Sequence, residues 1–169
     1  MKLVELAAAR RTHKSFGPEP IARETLVELL AVARLAPTHH LNQPWRFRVL
    51  GPATLAELKR VSGEKEAQKL DRAPTLVVAT AALTGELAMD EEDVCATAAA
   101  ITLVLLAATE RDIATYWRTP QALRTKVGRE AIGIPPGERF LGLLHFGRAA
   151  REPAPREREP AESYVAFLP

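Results

Sequence analysis

Thr75-Leu-Val-Val-Ala-Thr-Ala-Ala82, entered through Pro74, decides how the rest of the chain is read. It is an uncharged apolar run with β-branched residues, the pattern of a strand buried on both faces. Such a strand needs a covering layer on each side, and the flanking sequence supplies helices for both. Upstream, Trp45–Leu50 alternates like a strand and stops at Gly51-Pro52, while Ala53–Arg60 and Glu64–Leu70 read as short charged surface helices. Leu26, Leu29, Leu30, Ala33 and Ala36 share one face of a helix spanning Arg23–Leu35. Leu3, Val4, Leu6 and Ala7 give a short amphipathic helix ending around Arg10–Arg11, after which Gly17, Pro18 and Pro20 break the chain. Downstream, a long alanine-rich helix runs from Asp93 to Glu110. The carboxylates Asp90, Glu91, Glu92 and Asp93 at its start oppose the positive helix end. Its face of Ala, Thr and Leu lets another backbone approach closely, as a partner helix in a dimer would. Ile113–Trp117 reads as a strand, Gln121–Gly128 as a short helix, Ile134-Pro-Pro-Gly137 as a turn and Phe140–Phe146 as a core strand. No internal repeat is visible, and the alternation of elements gives an α+β sandwich with a central sheet covered by helices.

The length, 169 residues and 18.5 kDa, matches one domain spanning 1–169. Such a chain removes roughly 70% of its unfolded surface from water and needs no disulfide or structural metal. A hydrophobic fraction of 47% against 26% charged excludes wholesale disorder. Twenty-three Lys and Arg against 21 Asp and Glu leave +2, too balanced to make nucleic acid the default partner. The single cysteine, Cys95, excludes a disulfide framework within the chain and reads as a small core residue of the long helix. Met1–Ala9 carries Lys2 and Glu5 and lacks the apolar core of an export signal. The longest uncharged run, Val94–Thr109, falls short of the roughly 20 apolar residues of a membrane span. The expectation is a soluble, cytoplasmic protein without a membrane partner. From Arg148 onward Pro153, Pro155 and Pro160 are interleaved with Arg and Glu, yet the chain ends in the apolar Tyr164-Val-Ala-Phe-Leu168. That ending predicts an extended arm, 148–169, docking by its tip on its own body or on a second subunit.

The common chemical signatures are missing: no G-x-G-x-x-G, P-loop, H-E-x-x-H or C-x-x-C. His39 and His40 are adjacent and diverge, and His13 and His145 are distant in sequence, so no histidine metal site is expected. Three segments carry more. Arg10-Arg11-Thr12-His13-Lys14-Ser15-Phe16 places three cations and two hydroxyls in six residues. They serve either as cations at the negative end of a helix or as a cradle for a phosphate monoester, whose oxygens suit the planar fork of arginine. Pro37-Thr-His-His-Leu-Asn-Gln-Pro44, followed by Trp45, is either a plain helix-to-strand connection or a rigid wall presenting His39, Asn42 and Gln43 to a planar ring. Tyr116-Trp117-Arg118-Thr119-Pro120 lies where a strand runs into a helix, a usual place for ligand contacts.

Taken in order, these segments resemble the nitroreductase family of FMN-dependent oxidoreductases. Arg10-Arg11-Thr12-x-Lys14-x-Phe16 is similar to its R-R-S-x-R-x-F opening, and Ala36-Pro37-Thr38 through Gln43-Pro44-Trp45 to its A-P-S-x-x-x-Q-P-W loop. Trp117-Arg118-Thr119 resembles the W-R-S segment of the short YdjA-like subgroup, and Phe140–Gly147 the strand before the family's proline-rich tail. The resemblance implies a mostly antiparallel central sheet under helices and an intertwined homodimer with FMN where the subunits meet. It implies that Arg10, Arg11 and Thr12 hold the ribityl-phosphate, with Lys14 near the phosphate or the pyrimidine end as a charge stabiliser. His39 and Gln43 approach the ring, His39 from the partner chain. Trp117, Arg118 and Thr119 line the isoalloxazine, Arg148 is a second phosphate cation, and the arm crosses to the other subunit. The implied activity passes hydride from NAD(P)H through flavin N5 to nitroaromatics, quinones or similar small acceptors, and no protein nucleophile or general acid is required. The chain departs from the pattern at Thr38-His39-His40, where many members have serines, at the displaced Asn42, and at Leu35, where the subgroup has arginine. Two competing readings are a non-catalytic FMN store, sharing every cofactor residue, and a module binding nucleic-acid phosphates through Arg10, Arg11 and Lys14.

Overall fold

The computed structural model describes residues 2–169; of the segment Met1–Ala9 read for an export signal, Met1 lies outside them. Four strands form one antiparallel sheet: β1 (Trp45–Val49), β2 (Thr75–Ala82), β3 (Ala114–Arg118) and β4 (Glu138–Gly147), in the order β1-β2-β4-β3. The apolar run that anchors the sequence reading is therefore an interior strand, with every residue from Thr75 to Ala81 buried. Its alternate side chains enter two separate cores. Val77 and Ala79 face the long helix α5 (Leu87–Glu110) and helix α2 (Arg23–Ala31). Leu76 and Val78 face a layer built from α3 (Pro52–Ser62), α4 (Glu64–Leu70), α6 (Gln121–Arg124) and α7 (Lys126–Ala131). The expected α+β sandwich is the observed fold.

Helix α5 buries Asp93, Ala96, Thr97, Ala100, Ile101, Val104, Leu105 and Ala108, one stripe at three- and four-residue spacing. Among the described residues it is the one helix long and apolar enough to cross a bilayer, but its stripe is a wall of the core. It begins six residues before the expected Asp93. Asp90 accepts hydrogen bonds from the Thr84 N–H (2.7 Å), the Thr84 hydroxyl (3.0 Å) and the Gly85 N–H (3.3 Å) and so fastens the turn leading into the helix. Partial burial opposes that carboxylate's charge, yet these donors hold its pKa below the usual carboxylate value. Cys95 is exposed on this helix, correcting its reading as a core residue. The expected helix Gln121–Gly128 is two helices, because the Thr125 side chain caps the second by accepting from the Gly128 N–H (3.1 Å). Helix α2 tightens into a 3-10 turn at Val32–Leu35.

Strand β4 carries one extra residue at Leu141, where the pairing with β2 skips from Gly142 to Phe140. The Trp117 indole N–H donates to the Leu141 carbonyl (3.1 Å) and the ring lies across Gly142, so closely that a Cβ there would sit 2.0 Å from Nε1. Gly142→Ala is expected to displace the indole and cost about 1–3 kcal/mol, read as a lowered urea midpoint. An unchanged midpoint would mean that the tryptophan has another place to go.

Candidate functional site

Helix α1 (Leu3–Ala9) ends with Arg10 and Arg11 in its last exit, where cations meet the negative helix end. The chain then runs extended beside the sheet. Thr12 bridges Thr115 in parallel, and the His13 N–H donates to the Thr115 carbonyl (3.0 Å). The Gly17 N–H donates to the Arg148 carbonyl (3.0 Å) and the Ala150 N–H to the Ser15 carbonyl (3.2 Å). Phe16 completes the anchorage by stacking on the buried His145, 6.2 Å between ring centroids at 24°. The strip from Arg10 to Ser15 is thus fixed by its backbone to β3 and to the exit of β4, which leaves His13 largely buried and turns the side chains of Arg10, Arg11, Thr12, Lys14 and Ser15 outward.

They face a cleft of about 940 Å³ between the end of α1, this strip and the arm from Arg151 to Arg158. That volume lies in the range of small-molecule sites. Arg10, Arg11, Lys14, Arg151, Arg156 and Arg158 line it, with the hydroxyl residues Thr12 and Ser15 and a single carboxylate, Glu152. Glu152 lies 3.6 Å from His13 Nε2. Arg11 donates to the Ala8 carbonyl and, at 3.2 Å, to that of Arg10. Among the described residues, Arg10 and Lys14 form no ion pair. This donor set of guanidinium forks, an ammonium and hydroxyls fits the phosphate end of a nucleotide such as FMN.

The other residues singled out in the sequence lie elsewhere. Trp117 is engaged with Leu141 and Gly142. The Arg118 side chain, 10% exposed, donates from Nη2 to Glu66 (2.7 Å) in the α4 layer, while its Nη1 is buried without a hydrogen-bond partner. Lys69 and then Arg118 hold the Glu66 carboxyl below its usual range. The Thr119 hydroxyl accepts from Arg124 (2.7 Å), and Arg148 is exposed just outside the cleft lining. His39 and Gln43 belong to the loop between α2 and β1. His39 Nδ1 lies 3.4 Å from Glu92, and the Gln43 carbonyl accepts from Arg46 (2.9 Å). Three residues of this loop, His40, Leu41 and Gln43, have φ values of 48°, 55° and 49°. Such left-handed backbone in non-glycine residues is costly and must be held in place. Asn42 does this by donating to the buried Asp93 (2.6 Å) while accepting from Thr38. The sequence reading missed the arginines of the arm as cleft residues. Their signal is the alternation Arg156-Glu157-Arg158-Glu159, which in an extended chain sorts the two charges onto opposite sides.

The family model described as the nitroreductase family matches residues 7–148. YfhC of Bacillus subtilis (strain 168), named as a candidate NAD(P)H nitroreductase, is 28% identical over 94% of this chain and 90% of its own length. The crystal structure of a nitroreductase-like family protein from Bacillus cereus superposes with a TM-score of 0.90 at 22% identity, over 99% of this chain and 96% of that one. A Desulfovibrio desulfuricans protein named as a candidate nitroreductase, solved in complex with FMN, superposes with a TM-score of 0.82 at 20% identity, covering 98% and 96%.

Proposed function

The chain belongs to the nitroreductase family of oxidoreductases, and from that premise we propose that it binds FMN in the cationic cleft and uses it to carry electrons from NAD(P)H to small acceptors such as nitroaromatics or quinones. The observation that carries the reading is the convergence of Arg10, Arg11, Thr12, Lys14 and Ser15 on one cleft, on a strip whose backbone is fixed to the sheet. The YfhC name supports the choice of donor, and the FMN complex of the Desulfovibrio protein supports the cofactor. When bound, FMN supplies the electron relay between a nicotinamide and the acceptor. The protein's part is binding, orientation and field. Arg10 and Arg11 grip the phosphate, and Thr12 and Ser15 donate hydroxyl hydrogen bonds to it. Arg148, whose carbonyl accepts from the Gly17 N–H just after the strip, would add a further cation, and Lys14 would hold a positive charge near the phosphate or the pyrimidine end of the flavin. Because the strip is already ordered, little conformational freedom is lost on binding.

Several apolar side chains lie uncovered: Phe167 is 95% exposed, with Leu168 and Tyr164 beside it on the arm and Val4, Leu41 and Leu87 elsewhere. Together with the partly open flank of α5, they support a homodimer in which the arm crosses to the second subunit. His39 of the partner subunit and its loop would then face the ring, with Trp117, Arg118 and Thr119 contributing through their backbone. Phe167→Ser is expected to raise the concentration at which the dimer dissociates by about tenfold or more, measured by sedimentation. An unchanged constant would remove the arm tip from the interface.

Anaerobic addition of NADPH or NADH to the flavin-loaded protein tests the activity. Rapid bleaching of the visible absorbance, restored when a nitroaromatic is admitted, is the expected result. Bleaching no faster than with free FMN would leave a flavin carrier in place of an enzyme.

A further inference from the structure

A second cavity, of about 560 Å³, lies between the α6–α7 pair and the turn that enters β4, and it shares no lining residue with the cationic cleft. That volume falls within the range of small-molecule sites. Leu123 and Ile134, both buried, and the half-buried Phe140 give it an apolar wall, extended by Leu83 and the Pro135-Pro136 pair. Backbone hydrogen bonds hold that wall in place. The Leu83 N–H donates to the Gly137 carbonyl (2.8 Å) and the Ile134 N–H to the Arg129 carbonyl (3.0 Å), while the two prolines restrict the turn. An occupant therefore meets a preformed apolar surface and loses little in ordering it.

The rim is cationic. Arg124, Lys126, Arg129 and Arg139 line it against two carboxylates, and both of those are engaged. Glu138 accepts two hydrogen bonds from Arg48, which lies outside the lining, at 2.7 and 2.8 Å. Glu130 lies 3.7 Å from Lys126. Arg124, Arg129 and Arg139 are left without a carboxylate partner among the described residues. Arg124 gives one nitrogen to the Thr119 hydroxyl (2.7 Å) and Arg129 one to the Arg124 carbonyl (2.8 Å), so each fork keeps further donors. Like charges gathered beside an apolar wall repel, and an anion seated among them relieves that repulsion. A bare anion would leave the apolar wall wet, and a neutral ring would leave the cations unanswered. A ligand that satisfies both has an apolar body and one compact anionic end.

We propose that this cavity binds an aromatic carboxylate, its ring against Leu123, Ile134 and Phe140 and its carboxylate gripped by Arg129 and Arg139. A carboxylate is planar, and a guanidinium fork gives it two parallel hydrogen bonds. The ring displaces water from Phe140 and the prolines. Because cavity and cleft have no residue in common, the acid binds beside a seated flavin rather than in its place. The proposal stands apart from the flavin reading and does not need it.

The test is calorimetric titration of the full chain, with FMN in excess throughout, using 2-naphthoate, its neutral counterpart 2-naphthamide, acetate and 2-naphthyl phosphate. The naphthoate is expected to bind roughly tenfold or more tightly than the amide, which lacks the charge, or acetate, which lacks the ring. In Arg129→Gln/Arg139→Gln its affinity should fall to within about twofold of the amide's, with the urea midpoint retained. Arg139→Gln alone changes an exposed side chain with no ion-pair partner among the described residues, and it should weaken the acid by roughly threefold to tenfold even if the double variant fails to fold. Equal binding of acid and amide by the native chain overturns the proposal, as does acetate binding as tightly as the naphthoate. Undiminished binding in the variants overturns it by placing the acid elsewhere, and release of FMN on adding the acid overturns it by placing the acid in the cationic cleft. Tighter binding of the naphthyl phosphate overturns the carboxylate in favour of a phosphate ester. A chain that takes up no flavin yet prefers the naphthoate supports this proposal while defeating the flavin reading.

Discussion

Arg10→Ala is expected to weaken FMN binding by roughly 10- to 100-fold while changing the free energy of unfolding by less than about 1 kcal/mol. A hydrogen bond to a charged group contributes about 1.5–3 kcal/mol, and Arg10 is placed to give such bonds to a phosphate. It lines the cleft, is half-buried and has no ion-pair partner among the described residues, so its charge is available to a ligand. The fold does not depend on it, because α1, the helix it closes, has no fully buried residue. What the fold loses is the favourable placement of a cation at a helix end, about 0.3–1 kcal/mol. Fluorescence titration of the deflavinated chain with FMN, beside urea unfolding of native chain and variant, separates the two effects. Arg60→Ala, which removes an exposed partner of Glu57 on α3, serves as the control and should leave flavin binding alone. Full retention of FMN by Arg10→Ala would show that the phosphate lies elsewhere.

The second large effect lies in the core. His145 on β4 is completely buried, and neither ring nitrogen has a hydrogen-bond partner. It is packed between Phe16 and Tyr116. Burial, assisted by the charges of Arg118 and Arg72, lowers its pKa from 6.5 to about 3. Between those values the unfolded chain binds a proton that the native chain refuses. Stability from this group is therefore intact above pH 6.5 and is lost progressively as the pH falls toward 3. At pH 4 the loss should be about 3 kcal/mol relative to pH 7, from roughly 1.4 kcal/mol per pH unit. His145→Leu removes the titrating ring and two unpaired nitrogens, so it should cost little at pH 7 and flatten the decline by about that amount. Urea midpoints of both chains at pH 7 and pH 4 decide the matter. Parallel declines would show that the native ring takes up its proton with the fold intact.

How far the fold can be read from the residues depends on whether the signal is local. Thr75–Ala82 is legible because burial on both faces needs apolar residues at every position. The start of α5 is misread because its acidic residues do different jobs. Asp90 folds back on the Thr84–Gly85 turn, and Asp93 points inward to Asn42. The first is a local turn contact and the second a tertiary one, and periodicity reports neither. The strand order β1-β2-β4-β3 is set by non-local pairing, and the break at Thr125 by a cap that one hydroxyl provides. In the site, the cationic strip stands out because Arg10 to Ser15 is dense in donors within six residues. Arg156 and Arg158 were visible as an alternating pattern, but only the course of the arm shows which side meets the cleft. The commitment of Arg118 to Glu66, 52 residues away in sequence, could not be read from its neighbours.

Whether the cleft beside Arg10, Arg11 and Lys14 seats FMN is tested most directly by the visible spectrum of the chain after incubation with FMN and removal of the excess. A yellow protein that releases one flavin per chain on denaturation is the predicted result. A colourless protein, folded by circular dichroism and unable to quench flavin fluorescence, would contradict it.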